Sequence, residues 1–203
     1  MEEWTLTVND LKHFAYCEAI VYITHGIGVR ERETEYMAYG GEVEKEEFLQ
    51  QLLKKYSVAR IHRGVTLSSR ELQLTGTPDA VLETRMGELI PVEVKWAEPP
   101  RASRVKKDHL VQLIAYAILI EKSWPSRKSS VKRGLVYYLR PKPRFIEVYI
   151  SSEDKKSVIQ MVKRAVKVAL GEVEPLTRRD CSSCNYRAYC PFAYTRNSSS
   201  SSI

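Results

Sequence analysis

Two short segments of this chain, Thr77–Thr84 and Leu89–Trp96, have the alternation of paired strands, and the register between them constrains the fold more than any other feature. Side chains alternate faces along a strand. In Pro91-Val92-Glu93-Val94-Lys95-Trp96, Glu93 and Lys95 therefore share one face, and Val92, Val94 and Trp96 take the other. A two-residue loop at Met86-Gly87 would set Asp79 against Val94 and turn its carboxylate away from Glu93. A three-residue loop, Arg85-Met86-Gly87, sets Asp79 against Glu93. Such a loop wants a left-handed residue at its third position, where Gly87 stands. The expectation is the three-residue loop, with Asp79, Glu93 and Lys95 on one face.

Two carboxylates on one face suit a hard divalent cation such as Mg²⁺ or Mn²⁺. Such an ion activates water and stabilises charge on a phosphate. A neighbouring lysine can orient or deprotonate that water, or stabilise the transition state. These are the parts that phosphodiester hydrolysis needs. Taken alone, the pattern also fits a surface salt bridge between residues two apart on an exposed strand.

Around the hairpin, the pattern predicts a helix over 7–17, capped by Thr7 or Asn9 and carrying Leu11, Phe14 and Ala15 on one face. A second helix is expected over 42–56, short strands over 57–97, and a strongly apolar helix over 104–122. Two strands, Gly134–Arg140 and Arg144–Ile150, follow around Pro-Lys-Pro, and a helix over 152–170 stops at Gly171. This order predicts an α/β fold with a central mixed β-sheet flanked by helices. At 203 residues, 43% hydrophobic and 28% charged, the chain can bury a core without disulfides. A net charge of +7 suits a polyanionic partner and equally a solvated basic surface. Met1-Glu2-Glu3-Trp4 begins no apolar leader, and the longest apolar stretch, Leu110–Ile120, is too short to cross a bilayer. A cytoplasmic protein with no membrane association is expected. The serine-rich tail, 196–203, is expected to be disordered.

Pro78-Asp79, thirteen residues and then Glu93-x-Lys95 resembles the PD-(D/E)xK nuclease superfamily. The helix that follows carries Gln112 and Tyr116, four apart and so on one face. This adds a likeness to the RecB-type branch, whose signature places a Q-x-x-x-Y helix after the catalytic strands. The resemblance implies a restriction-endonuclease-like core. It implies Asp79, Glu93, Lys95, Gln112 and Tyr116 as the catalytic set, with the backbone carbonyl of Val94 as a further metal ligand. The family's upstream glycine-x3-histidine motif corresponds to Gly40-Gly41-Glu42-Val43-Glu44, so Glu44 stands where the family has a metal-binding histidine. A carboxylate is the harder ligand for Mg²⁺ or Mn²⁺. His13, His25, His62 and His109 all lie elsewhere.

The four cysteines are Cys17 and the run Cys181-x2-Cys184-x5-Cys190-Pro191. A shared site would tie the two ends of the chain together. By ligand type alone, zinc and an iron–sulfur cluster are comparable. The arrangement resembles the small CRISPR-associated RecB-like exonuclease family, from about residue 7 to 195. That resemblance implies an iron–sulfur cluster, 4Fe–4S or 2Fe–2S, held by Cys17, Cys181, Cys184 and Cys190, with Tyr186, Tyr189 and Phe192 available to shield it. It implies one nuclease domain over 1–195, with a core at about 40–170 and cluster-binding segments at about 7–30 and 172–195.

By the same likeness, the activity is 5′-to-3′ exonuclease action on single-stranded DNA or duplex ends in CRISPR spacer acquisition. The implied partners are CRISPR integrase proteins and further copies of the chain. Arg101, Arg104, Lys106 and Lys107 precede the Q-x-x-x-Y helix and are expected to contact DNA; Arg127, Lys128, Lys132 and Arg133 form a second basic cluster. Two other readings remain open here. One is a non-catalytic scaffold that binds DNA ends within the CRISPR integration complex. The other is a zinc-stapled nucleic-acid-binding module.

Overall fold

In the computed structural model, residues 6–29, 52–100, 104–124, 130–177, 181–182 and 184–193 are described. Thr7 opens the first helix as the sequence leads one to expect. Its hydroxyl accepts from the Asp10 amide at 3.0 Å, and the Asp10 carboxylate accepts from the Thr7 amide at 2.8 Å, a reciprocal cap. Helix α1 spans Val8–Tyr16 and buries Val8, Leu11 and Phe14. It breaks at Cys17, whose backbone is extended, and α2 resumes over Glu18–Val21. A π-helical turn, Tyr22–Ile27, then ends at left-handed Gly28.

Five strands form the main sheet in the order β2 (Val58–His62), β5 (Ala80–Thr84), β6 (Leu89–Lys95), β7 (Arg133–Tyr138) and β8 (Arg144–Tyr149). Only β6 and β7 run parallel, so the sheet is mixed as expected. A small second sheet, absent from the sequence reading, places β4 (Leu74–Gly76) between β1 (Leu6–Thr7) and β3 (Leu67–Ser69). Two or three residues each are too few to show alternation, and β1 finds its partner by parallel pairing with a segment far along the chain.

Helix α3 spans Lys107–Ser123 and α4 spans Ser152–Ala169. The main core fills the space between the sheet, α1, α3 and α4, with Leu11, Val81, Ile114, Leu119, Val158 and Val162 among its members. The opposite face of the sheet carries Ala80, Leu82, Ile90, Val92 and Leu135 against Leu52 and Tyr56, where residues 52–55 are helical. Both faces of β6 are therefore covered, which matches its apolar run. The rest of the helix expected over 42–56 lies outside the described residues.

Helix α3 starts three residues later than the pattern suggests. Residues 104–106 are not helical, and the Lys106 amide donates to the Tyr138 hydroxyl at 3.2 Å. Close approach of α3 to the sheets depends on two glycines. A Cβ on Gly134 would meet Leu113 at 2.8 Å, and one on Gly76 would meet Val8 at 2.6 Å and Tyr116 at 2.9 Å. Helix α4 has a reciprocal cap between Ser151 and Asp154 and ends at left-handed Gly171, the stop read from the sequence.

Candidate metal-dependent active site

The β5–β6 hairpin has the three-residue loop. Ala80 pairs with Val92, Leu82 with Ile90 and Glu83 with Leu89, which places Asp79, one residue before β5, opposite Glu93. The Thr84 amide donates to the Glu88 carbonyl at 2.9 Å and the Gly87 amide to the Thr84 carbonyl at 2.8 Å. Gly87 has φ 81°, the left-handed conformation that the loop's third position requires. A local rule thus sets the register that brings the two carboxylates together.

From there the side chains close a circuit. Lys95 Nζ donates to Glu93 Oε1 at 2.7 Å and to Gln112 Oε1 at 2.6 Å. Gln112 Nε2 donates to the same Glu93 oxygen at 2.9 Å and to the Tyr116 hydroxyl at 3.3 Å. The Tyr116 hydroxyl donates to the Thr77 carbonyl at 3.3 Å, just ahead of Asp79. Asp79 Oδ2 accepts the Val94 amide at 2.8 Å. Within a strand, a residue's N–H and C=O point to the same neighbour, so the Val94 carbonyl is directed to the side of Asp79 as well. Glu93, Gln112 and Tyr116 are all buried.

Burial pushes the Glu93 carboxyl above its ordinary range; Lys95 opposes this, and the Asp79 charge adds to it. The Tyr116 hydroxyl is raised by burial and then by Glu93. A buried carboxylate whose proton affinity is raised by burial and by a neighbouring carboxylate marks a place where a cation can replace the proton. Oxygen donors suit Mg²⁺ or Mn²⁺, ions that keep several waters and need few protein ligands. Among the described residues, no group of three or more His, Cys, Asp or Glu side chains is arranged to hold a metal. The protein side chains placed here thus supply a two-carboxylate set, and Glu44 lies outside the described residues.

Arg104, Lys106 and Lys107 are exposed at the start of α3, while Arg101 is outside the described residues. The second basic cluster needs correction. Arg133 is not open to a phosphate backbone, because it clamps Glu88 through Nε at 2.8 Å and NH2 at 2.6 Å and reaches Glu147 at 3.0 Å. Arg127 and Lys128 are outside the described residues. His62 lies 3.0 Å from Glu83 and edge-on to Trp124, which is a structural placement.

The sequence reading missed a buried pair behind the site. His109 Nδ1 lies 2.9 Å from the Tyr138 hydroxyl, the group that also accepts the Lys106 amide. Burial, then the charge of Lys95, pushes the His109 imidazole down to about 3. Lys12 of α1 was missed too; its charge acts on both Glu93 and His109. His109 had one available signal, a position three before Gln112 on the same helix. Lys12 had none, because its approach depends on the packing of α1.

None of the four cysteines is in a disulfide. Cys17, Cys184 and Cys190 pack against one small cluster with Ala19, Ile20, Ile23 and Tyr186. Burial raises the Cys17 and Cys190 thiols, and each also feels repulsion from Cys181 and Cys184. The two ends of the described chain therefore meet, although the thiols form no metal-holding group as placed. Tyr186 is buried here and Phe192 stacks edge-on to Tyr22 at 5.3 Å, whereas Tyr189 is 54% exposed.

A family model described as the PD-(D/E)XK nuclease superfamily matches residues 25–191. No curated protein matches the chain. Among solved structures, SSO0001 has 17% identity and a TM-score of 0.56, with 96% of this chain and 89% of that chain covered. A candidate exonuclease from Eubacterium rectale has 12% identity and a TM-score of 0.53, over 91% of this chain and 88% of that one. LHK-Exo in complex with dAMP has 11% identity and a TM-score of 0.56, over 86% of this chain and 95% of that one. LHK-Exo is an alkaline exonuclease from Laribacter hongkongensis. At these identities the likeness is one of fold. No helix among the described residues is long and apolar enough to cross a membrane.

Proposed function

The chain belongs to the PD-(D/E)XK nuclease superfamily, and from that membership we propose that it is a metal-dependent DNA exonuclease acting on single strands and duplex ends, in the 5′-to-3′ direction. The observation that carries this reading is the register that sets Asp79 against Glu93, with Lys95 and Gln112 bonded to the same Glu93 oxygen. Members of the superfamily use divalent cations such as Mg²⁺ or Mn²⁺. When bound, such an ion lowers the pKa of water and stabilises charge on the phosphate. In this chain, Asp79 and Glu93 are assigned to hold it, joined by the Val94 carbonyl and by Glu44. Lys95 orients the attacking water and offers its charge to the phosphate. Gln112 keeps Lys95 and Glu93 in register. Tyr116 ties the helix to the Thr77 carbonyl beside Asp79. Arg101, Arg104, Lys106 and Lys107 are assigned to the DNA backbone.

The test is digestion of end-labelled single-stranded DNA with Mg²⁺ or Mn²⁺, comparing wild type with Asp79→Ala. Cleavage lost by at least a hundredfold in the variant is expected, and the product ladder shows the polarity. Equal cleavage by both proteins would sink the assignment and favour a DNA-end-binding scaffold.

The cysteine pattern extends the proposal. Four cysteines from both ends of the chain, none in a disulfide and each of the last three within electrostatic reach of Cys17, support an iron–sulfur cluster over disulfides or isolated reactive thiols. Cys17, Cys181, Cys184 and Cys190 are assigned to it, with a structural role, in one nuclease domain over 1–195. Together with the likeness to CRISPR-associated RecB-like nucleases, this supports the reading that the protein acts in spacer acquisition beside CRISPR integrase proteins, in the cytoplasm. Iron with inorganic sulfide in purified protein is the expected result; zinc without sulfide would overturn the cluster assignment.

A further inference from the structure

Outside the carboxylate circuit lies a cavity of about 180 Å³ where α1, the start of α3 and the cysteine segment meet. Its lining includes Lys12, His13 and Tyr16 of α1, Asp108 of α3, and Asn185 and Tyr186. Ligand pockets for whole small molecules usually begin near 300 Å³. This space therefore suits one part of a longer ligand. Its polar groups are mixed: Lys12 donates, His13 and Asn185 can donate or accept, and Asp108 accepts. A phosphate would meet the Asp108 carboxylate as a repulsive neighbour. A nucleobase, which has donors and acceptors on its edge and an aromatic face, matches both the mixed lining and the two tyrosines.

The cavity also lies close to the reaction centre. Asp108 stands four residues before Gln112 on α3, so the two share a helix face, and the Lys12 charge reaches Glu93 and His109. Exposed Lys106 and Lys107 stand immediately before Asp108, placed to hold the backbone of the same strand.

We infer that this cavity receives a nucleobase of the unpaired strand beside the scissile phosphate, an inference that rests on the nuclease reading above. Asn185 and Tyr186 directly follow Cys184, which also lines the cavity. The cysteine segment is thereby part of the substrate-binding surface as well as a clamp between the chain's ends.

The experiment is a binding scan with short single strands carrying 2-aminopurine at successive positions, with Ca²⁺ in place of the catalytic ion. Wild-type protein should quench the probe at one or two adjacent positions. Tyr16→Leu and Asn185→Ala should each relieve that quenching and weaken binding roughly tenfold. Both variants should bind a strand with an abasic site at that position as tightly as wild type does. Quenching that survives both substitutions, or wild-type binding indifferent to the abasic site while cleavage persists, overturns this inference alone. A wild-type protein that neither binds nor cuts DNA overturns the nuclease reading and this inference with it.

Discussion

Gln112 joins the site to the helix that carries it. Its oxygen accepts from Lys95, and its nitrogen donates to Glu93 and Tyr116. Among the described residues no buried side-chain polar atom lacks a partner, and this circuit satisfies the polar atoms of Gln112. Gln112→Leu should leave Lys95 and Glu93 with each other but strip the remaining bonds. We expect a loss of about 1–3 kcal/mol in urea unfolding and a fall in cleavage of about 10- to 100-fold. A variant as active as wild type would remove Gln112 from the site. His109 gives a pH signature. Its imidazole is held down to about 3 by burial first, then by Lys95, with Lys106 and Lys12 adding and Asp108 opposing. The unfolded chain takes up a proton below about 6.5, while the folded chain refuses it until much lower. Protons therefore favour unfolding in that window. The contribution is whole above about pH 6.5 and is lost as pH falls towards 3. In thermal melts, His109→Gln should show a shallower decline below about pH 6.5 than wild type.

At the scale of elements, the site depends on how closely α3 approaches its neighbours. Gly76 ends β4 where Val8 and Tyr116 leave no room for a Cβ. Gly76→Ala must push one of them away. It should cost about 1–3 kcal/mol of stability. Cleavage should also fall, because Tyr116 bonds both Gln112 and the Thr77 carbonyl. Unchanged melting and unchanged rate together would show that β4 yields without disturbing Tyr116. The hairpin is the opposite case, a local device. Its loop length and one left-handed glycine set which face Asp79 takes, with no help from distant packing.

Across the whole molecule, the chain's ends are joined by more than cysteines. Glu18, adjacent to Cys17, accepts from Arg164 Nε at 3.0 Å, from Arg164 NH2 at 2.8 Å and from the Leu176 amide at 2.9 Å. Arg164 also reaches the Glu174 carbonyl at 3.1 Å. This holds residues 174–176 against the N-terminal helices without any metal. Arg164 is 36% exposed, which discounts the ion pair, so Glu18→Ala should cost about 1–2 kcal/mol. It should also speed proteolysis around residues 174–177 and lower the metal content of purified protein. Proteolysis and metal content at wild-type levels would mean that the cysteine segment is held by other contacts.

The sequence by itself determined what depends on near neighbours: the hairpin register, the Thr7 start of α1, the extent of α4 from residue 152 to its stop at Gly171, and a mixed sheet with helices. Each follows from spacing or from a residue's own backbone preference. Tertiary structure alone decided the rest. The small sheet forms because Leu6 and Thr7 meet Leu74 and Thr75 across the fold. The start of α3 moves to Lys107 because Tyr138 holds residue 106 outside the helix. Arg133, read as a candidate for DNA, is taken up by Glu88 and Glu147. The Lys12 charge reaches Glu93 only because α1 packs beside α3. A side chain's partner far along the chain leaves no periodic trace, so charge and hydrogen-bond pairing at long range became visible only once the chain was folded.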